Sequence, residues 1–239
     1  MPSLAIITAR AGSKRIPRKN IRPFCGTPII AYSIKAALAA RCFDEVMVST
    51  DDREIAEVSR GFGAVVPFFR SARTADDHAT TADVLVEVLG EYAGRGRQFE
   101  TACCLYPTAP FLTPETLLAG ARLLAETPEL DSVVPVVRFS YPILRSLKIQ
   151  NQRLAMNWPE HLNSRSQDLP PAYHDVGQFY WFRVAPFLRT HRLFAVQTAP
   201  IVLPEWVVQD IDHENDWAVA ETKFEVIQRL GLRATPERE

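Results

Sequence analysis

Residues 4–20, LAIITARAGSKRIPRKN, join a short apolar run to a basic loop, and this junction decides the fold. The run LAIIT is rich in β-branched residues and predicts a buried strand. The segment from 8 to 20 carries five cations, a single glycine and no acidic residue. In open α/β sheets, ligands bind beyond the carboxyl ends of the strands. We therefore expect this basic loop to form part of a binding site.

Working outward from this junction, strand patterns alternate with helical patterns up to about residue 137. Strands are predicted at EVMVST (45–50), AVVPFF (64–69), TACCLYPT (101–108) and SVVPVV (132–137). Helices are predicted at TPIIAYSIKAALAA (27–40), with Pro28 at its first position, and at DDREIAEVSRGFG (51–63), TTADVLVEVLGEY (80–92) and TPETLLAGARLLAE (113–126). Such alternation predicts an α/β fold with a mostly parallel sheet.

The pattern changes after about residue 138. Short strands and proline-bearing loops follow, and then GQFYWFRV (177–184) predicts an aromatic strand, WVVQDID (206–212) a returning strand and ENDWAVAETKFEVIQRL (214–230) a closing helix. We expect one domain over residues 1–239, with residues 138–176 as an excursion from it. The end of the chain, TPERE (235–239), is expected to fray.

Charge is unevenly distributed along the chain. The net charge is −1, yet residues 1–43 contain eight Lys or Arg and no Asp or Glu. A local cluster of this kind suggests a local anion rather than duplex nucleic acid, although a solvated basic loop is the alternative. No apolar run is long enough to span a bilayer, and the N-terminal charge follows the apolar run, unlike a secretory signal. We expect a cytoplasmic protein with no membrane or nucleic-acid partner.

The residue types in the polar segments indicate the chemistry. The basic loop has only Gly12, so it lacks the dinucleotide-binding and P-loop glycine patterns, and its cations suit a triphosphate or a leaving pyrophosphate. Asp210 and Asp212 stand two apart on a predicted strand, so both carboxylates would face one side and could hold Mg²⁺. The alternative is an acidic strand end that caps the next helix. Together the two features favour nucleotidyl transfer.

Several motifs carry a resemblance to a known family. ITARAGSKRIPRKN, STDD, RSARTADDHATTADV, YPTAPF and QDIDHENDW occur in the order found in sugar-activating cytidylyltransferases, and the chain resembles the CMP-N-acetylneuraminate synthetase family. NSRSQDLPPAYHDVGQFYWF is most similar to the pseudaminic acid branch of that family. The resemblance implies a Rossmann-like nucleotidyltransferase fold, a homodimer, and transfer of CMP from CTP to a nine-carbon sugar acid, in the first place pseudaminic acid.

The resemblance also implies roles for individual residues. The catalytic cations would be Arg10, Lys14 and Lys19, and the Mg²⁺ ligands would be Asp210 and Asp212. The nucleotide is expected to bind at Thr8, Ala9, Gly12, Ser13, Asn20, Arg70, Thr80, Thr81, Tyr106 and Pro107. The candidates for binding the sugar acid are Arg165, Gln167, Tyr173, His174, Gln178 and Tyr180. Arg15 and Arg18 are expected to be solvated.

Two departures from the sialic acid synthetases bear on the sugar. Tyr106 stands where they typically have a glutamine, and VGQFYWF replaces an NGAIY-like strand. Both changes fit a different nine-carbon acid, while synthesis of CMP-sialic acid or CMP-legionaminic acid remains the alternative. A non-catalytic nucleotide sensor or RNA-binding module is a further alternative. It is disfavoured because the basic loop contains no aromatic side chain on which a base could stack.

Overall fold

The computed structural model describes residues 2–232, and the predicted fraying of residues 235–239 lies outside them. The strands are β1 (Ser3–Thr8), β2 (Pro23–Phe24), β3 (Thr27–Pro28), β4 (Glu45–Ser49), β5 (Thr101–Leu105), β6 (Ser132–Arg138), β7 (Leu147–Gln150), β8 (Arg153–Met156), β9 (Tyr173–Asp175), β10 (Phe179–Arg183) and β11 (Thr198–Val202). The α-helices are α1 (Ile30–Ala40), α2 (Arg53–Gly61), α3 (Ala72–Ala75), α4 (Thr81–Gly94), α5 (Pro114–Glu126), α6 (Val184–Thr190) and α7 (Glu214–Leu230).

The central sheet has the order β11–β6–β10–β5–β1–β4, and β9 also pairs with β6. Strands β4, β1, β5, β6 and β11 run in one direction, whereas β9 and β10 are antiparallel to their neighbours. The prediction of an α/β fold with a mostly parallel sheet is confirmed. Strand β10 lies between β5 and β6, so the aromatic segment 177–184 occupies the middle of the sheet.

Helices cover both faces of this sheet. Along β1, Leu4 and Ile6 pack with the buried side chains of α4 and α6, while Ala5 and Ile7 pack with those of α1, α5 and α7. A parallel strand covered on both faces is apolar throughout, which explains the uninterrupted run LAII. The helix starts are fixed by side-chain caps: Thr80 forms a reciprocal capping box with Asp83 at the start of α4.

Two predicted elements have different bounds. In the segment 64–69, Val65 alone bridges to Met47, and Pro67 then has no N–H with which to continue a ladder. The first helix begins at Ile30 rather than at Pro28. The prediction for Pro28 was wrong because β3 pairs with β2 in a small hairpin, whose turn at 25–26 has positive φ angles.

The predicted strand at 206–212 was also wrong. This segment forms a short 3₁₀ turn at Glu205–Val207 and then continues outside any ladder, with Val208 in an extended conformation. Its carbonyl groups are bound by side chains instead, since Lys223 Nζ donates to Val208 O at 2.9 Å and Lys19 Nζ to Ile211 O at 2.5 Å. The strand that returns to pair with β6 is β11, which sequence patterning did not predict.

The excursion at 138–176 includes a projecting hairpin of β7 and β8. Leu147, Ile149 and Leu154 on this hairpin are 56%, 76% and 70% exposed. Within residues 2–232, no helix has the length and apolar character needed to cross a membrane. The cytoplasmic location stays a prediction.

Close packing of α5 on β10 depends on Gly120. A Cβ at this position would stand 2.5 Å from Trp181 Cδ1. Trp181 is buried, and its indole N–H donates to the carbonyl of Leu117 at 3.1 Å. Both the burial and this hydrogen bond hold the ring in place. The sequence alone does not reveal this contact, because a glycine within a helical pattern indicates only a low helix propensity.

We expect Gly120→Ala to lower the free energy of unfolding by about 1–3 kcal/mol, because the added methyl group overpacks the buried contact with Trp181. Urea denaturation measures this change. The matched control is Gly90→Ala in α4, where a Cβ meets nothing within 4 Å. There the free energy of unfolding should rise by about 0.5–1 kcal/mol. Equal stability of the two variants would contradict the close contact.

Candidate functional site

A cleft of about 680 Å³ opens beyond the carboxyl ends of β1 and β5. This is the edge of the sheet at which ligands bind in open α/β folds. Twelve of the residues that line it belong to the predicted site: Thr8, Arg10, Gly12, Ser13, Lys14, Lys19, Asn20, Arg70, Thr81, Tyr106, Pro107 and Asp212. The structure thus brings together parts of the chain from both ends of the sequence.

Main-chain and side-chain hydrogen bonds fold the basic loop over the end of β1. The N–H of Ala9 donates to the carbonyl of Ser49 at 3.0 Å, and the N–H of Ala11 donates to the Asp51 carboxylate at 3.0 Å. At the far end of the loop, Asn20 Nδ2 donates to the carbonyl of Arg10 at 2.9 Å. These contacts close the loop on itself, and four of its five cations, all but Arg18, line the cleft.

Two of the loop cations converge on one carboxylate. Arg10 Nη1 lies 2.8 Å from Asp77 Oδ1, and the Lys14 ammonium pairs with Asp77 Oδ2. Arg10 also donates to the carbonyl of Asp76 at 3.2 Å. The Lys14 ammonium holds the pKa of Asp77 below its usual value, and Arg10 acts in the same direction. The Asp77 carboxylate therefore occupies the position at which an anionic ligand would contact Arg10 and Lys14.

The other two basic-loop cations that line the cleft contact an acidic segment, residues 210–212, which comes just before α7. Arg15 Nη2 lies 2.7 Å from Asp212 Oδ1, and Lys19 Nζ lies 3.6 Å from the same oxygen. Arg15 thus lines the cleft, and its side chain is 56% exposed, in agreement with the expected solvation. Arg18 instead points to the outside of the loop, where it pairs with Glu54.

The acidic segment lies outside the sheet. Ile211 is buried, whereas Asp212 is half-exposed and Asp210 is exposed. Partial desolvation raises the pKa of Asp210, and the negative charge of Asp212 adds to this increase. The Asp216 carboxylate accepts the N–H groups of Asp212 and His213 at 2.9 and 2.7 Å, which fixes the segment at the start of α7. Asp216, rather than Asp210 or Asp212, caps this helix.

The opposite side of the cleft contains a buried cation and a pair of hydroxyl groups. Arg70 is 8% exposed, and its Nη2 donates to the carbonyl of Ser49 at 2.8 Å. Burial lowers the pKa of Arg70, an effect that Asp51 opposes. The Thr81 and Tyr106 hydroxyl oxygens lie 3.4 Å apart. This side of the cleft therefore offers hydrogen-bonding groups, and it carries fewer charged side chains than the side formed by the basic loop.

The remaining predicted nucleotide and metal residues lie next to the cleft without lining it. Ala9 is buried, Thr80 caps α4, and Asp210 is exposed two residues before Asp212. The predicted sugar residues lie on the excursion, at Gln178 just before β10, and on β10 itself, and none lines this cleft in the described part of the chain.

The six sugar candidates do not form one cluster. Arg165 pairs with Asp168 at 2.7 Å, and Gln167 lines a separate cavity of about 510 Å³ in the excursion. Gln178 is buried and donates to the carbonyl of Val207 at 2.7 Å. Of the other three, Tyr173 and His174 lie in β9 and Tyr180 lies in β10, where its hydroxyl donates to Asp175 of β9.

Sequence reasoning missed five residues that line the cleft, namely Arg15, Asp77, Ala79, Val84 and Thr108. A signal for Asp77 was available, because the polar stretch RSARTADDHATT follows the third predicted strand and so reaches the same edge of the sheet. Its pairing with Arg10 and Lys14 could not be read from the sequence, because it depends on where the loops meet in space.

The sequence matches the family model described as Cytidylyltransferase over residues 4–210. The chain belongs to the cytidylyltransferase family. It is therefore an enzyme that uses CTP as a nucleotidyl donor. The matched region includes the basic loop, all strands of the central sheet and Asp210.

Curated relatives of this cytidylyltransferase support the family assignment along the whole chain. A pseudaminic acid cytidylyltransferase from Campylobacter jejuni is 38% identical over 227 residues, covering 95% of this chain and 97% of the relative. A CMP-N,N'-diacetyllegionaminic acid synthase from Legionella pneumophila is 31% identical and covers 95% of this chain and 98% of its own length.

A solved structure supports the fold of this cytidylyltransferase. It is a CMP:2-keto-3-deoxy-manno-octonic acid synthetase complexed with CTP, with a TM-score of 0.68. The comparison covers 96% of this chain and 100% of that chain, at 17% sequence identity. At this identity the likeness establishes the nucleotidyltransferase fold alone, and the substrate has to be argued from other observations.

Proposed function

We propose that this cytidylyltransferase couples CTP to pseudaminic acid, giving the CMP-sugar and pyrophosphate. The observation that supports it best is the convergence of four cations of the basic loop and Asp212, from opposite ends of the chain, on one cleft. The choice of sugar is supported by the 38% identity to the Campylobacter jejuni pseudaminic acid cytidylyltransferase over nearly the whole chain.

The cations are suited to hold the triphosphate. Arg10 and Lys14 would contact the phosphates after these replace the Asp77 carboxylate, because both cations already meet at one acceptor. Lys19 lies between the loop and Asp212, where it would neutralise charge on the transferring or the leaving phosphate. The base would lie at the less charged wall, beside Arg70 and Thr81.

A magnesium ion fits the donor set at the acidic segment. Among residues 2–232, no group of three or more His, Cys, Asp or Glu side chains could surround a metal. Asp210 and Asp212 would therefore supply at most two carboxylates, which suits Mg²⁺ because this ion usually takes one or two carboxylates and completes its shell with water and phosphate. When bound, Mg²⁺ supplies charge neutralisation at the phosphates.

The proposed reaction is a displacement at the α-phosphorus. The anomeric hydroxyl oxygen of the sugar acid forms a bond to this phosphorus, the bond to the bridging oxygen breaks, and pyrophosphate leaves with that electron pair. The hydroxyl proton passes to solvent water. Arg10, Lys14 and Lys19 would orient the phosphates and offset the charge on the leaving group, and positioning of this kind accounts for most of the catalysis in phosphoryl transfer.

The sugar acid would lie between the cleft and the excursion. Among the predicted sugar residues, Tyr173 and His174 lie in β9 and Tyr180 lies in β10. Arg165 and Gln167 lie on the excursion, and they would reach a sugar only in the cleft of a second copy or after movement of the excursion. Their roles, and those of the other predicted site residues, stay predictions.

The test of this function is pyrophosphate release from CTP with three acids in parallel. Pseudaminic acid should give the highest kcat/KM, with sialic acid and N,N'-diacetyllegionaminic acid as the comparison substrates. A higher value with either comparison acid would overturn the sugar while keeping the reaction. No release with any of the three, from protein that is folded by circular dichroism, would overturn the proposed function.

We propose further that two copies of the chain pair through the excursion. A two-stranded hairpin is marginally stable alone, and exposed apolar side chains on one such hairpin mark an interface. Ile149→Asp should therefore convert a dimer to a monomer, as measured by analytical ultracentrifugation. The control is Val196→Asp, since Val196 is 91% exposed outside the excursion. A monomeric wild-type protein would contradict the pairing.

A further inference from the structure

A single carboxylate neutralises two cations of the cleft. Asp77 lies in the turn between α3 and α4, and each of its oxygens has its own partner. Asp77 Oδ1 lies 2.8 Å from Arg10 Nη1, and Asp77 Oδ2 pairs with the Lys14 ammonium. All three side chains line the cleft. The carboxylate thus presents two anionic oxygens to these cations, as a phosphate group would.

The Asp77 carboxylate is held in place less firmly than the other carboxylates nearby. Within residues 2–232, its ion pairs with Arg10 and Lys14 are its only hydrogen-bonding partners, and its side chain is partly exposed. By contrast, the Asp51 carboxylate accepts the main-chain N–H of Ala11 at 3.0 Å. Asp77 can therefore leave both cations by rotating toward solvent, without breaking a contact to the main chain.

The two cations stay at the cleft when Asp77 moves away. Arg10 keeps a second acceptor, because its Nη1 donates to the main-chain carbonyl of Asp76 at 3.2 Å. The carbonyl of Arg10 also accepts from Asn20 Nδ2, which fixes the loop that carries both cations. The Lys14 side chain is 77% exposed and has no other acceptor in the described part of the chain. Departure of Asp77 thus leaves two cations free to bind an anion.

We infer that Asp77 is a built-in competitor for the phosphates, which speeds the release of pyrophosphate by returning to Arg10 and Lys14 as this product leaves. The inference rests on the proposed function, in which these cations hold the triphosphate. An anion binds both cations only in molecules whose Asp77 carboxylate has moved away. Its apparent dissociation constant is therefore the intrinsic constant divided by the fraction of such molecules.

The tether of Asp77 to the same chain makes this competition effective. A group held beside its partners by the chain has a high effective concentration there, so it takes up each cation as soon as pyrophosphate loosens from it. Product release limits the rate of many enzymes, and clustered cations would otherwise hold a small, highly charged product for a long time. Asp77 thereby weakens phosphate binding while it keeps the empty cleft electrically balanced.

The experiment titrates inorganic pyrophosphate into the protein by calorimetry, in magnesium-free buffer so that no Mg²⁺ binds the pyrophosphate instead. Asp77→Asn and Asp77→Ala should each bind it about three to thirty times more tightly than the wild type, because each of two exposed ion pairs accounts for a factor of about five at most. The inhibition constant for pyrophosphate in turnover assays should fall by the same factor. Asparagine keeps the size of the side chain, and alanine removes the amide that could itself bind a phosphate.

The matched control is Asp76→Asn, which removes the same charge one residue earlier. The Asp76 carboxylate accepts the N–H of His78 at 2.8 Å rather than contacting a cation, and the substitution keeps the main-chain carbonyl to which Arg10 donates. Exposed charges that do not touch the ligand are screened by salt, so this control should change the affinity for pyrophosphate by less than about twofold.

Three outcomes would overturn the inference. Unchanged or weaker binding of pyrophosphate in both Asp77 variants would mean that Asp77 does not compete with the phosphates. Tighter binding in Asp77→Asn alone would assign the gain to the new amide, and an equal gain in Asp76→Asn would assign it to net charge. Failure of the wild-type protein to release pyrophosphate from CTP with any acid would instead count against the proposed function, since the titration needs neither nucleotide nor sugar acid.

Discussion

Asp212→Asn should reduce Mg²⁺-dependent pyrophosphate release by more than about a hundredfold, since even residues that only support metal ligands account for about 10- to 100-fold effects. Asparagine keeps the size of the side chain but removes the charge that would hold the metal. It also leaves Arg15 and Lys19 without their shared carboxylate. The measurement is initial rate against Mg²⁺ concentration, with CTP and the sugar acid saturating.

The matched control for this variant is Glu54→Gln. Glu54 also receives a cation of the basic loop, Arg18, but on the outside of the loop. Exposed ion pairs of this kind contribute about 0–1 kcal/mol, so this control should keep nearly the wild-type rate. Wild-type activity and an unchanged Mg²⁺ dependence in Asp212→Asn would remove Asp212 from the proposed metal site. Equal losses in both variants would assign the effect to the charge balance of the loop.

The sequence predicted the parts of the fold that depend on local pattern. A run such as LAIIT is buried on both faces wherever it lies in a parallel sheet, so both the strand and the position of the loop after it could be predicted. The direction of β10 could not be predicted, because the same apolar pattern serves a strand of either direction. Its antiparallel place between β5 and β6 depends on how the excursion returns to the sheet.

The segment 206–212 illustrates a different limit. Alternating apolar and polar residues indicate an extended chain, and exposure does alternate there, since Ile211 is buried whereas Asp210 is exposed and Asp212 is half-exposed. Whether such a segment joins a ladder depends on what binds its carbonyls, and here Lys19 and Lys223 do so. The placement of Asp212 at the cleft was predictable from motif order, but its pairing with Arg15 required the folded loops.

Lys19→Met should lower kcat by about 10²- to 10³-fold, as does removal of a single group that stabilises transition-state charge in other enzymes. Lys19 is the cation that joins the two ends of the site, because its ammonium donates to the carbonyl of Ile211 at 2.5 Å and lies 3.6 Å from Asp212 Oδ1. Methionine keeps the apolar stem and removes the charge. Steady-state pyrophosphate release, followed with the thermal unfolding midpoint, measures the effect.

Arg18→Met is the control for this last variant, because it makes the same replacement one residue earlier in the same loop. Arg18 pairs with Glu54 on the outside of the loop and does not line the cleft. Its loss should therefore change kcat by less than about threefold, the size expected for a surface ion pair. If local loop charge alone mattered, Arg18→Met and Lys19→Met would be equally impaired. If Lys19 acted only by holding the acidic segment in place, Lys19→Met would lose stability and kcat together, and Lys19→Arg would restore both. A charge-stabilising role instead predicts a large loss of kcat at nearly unchanged thermal stability.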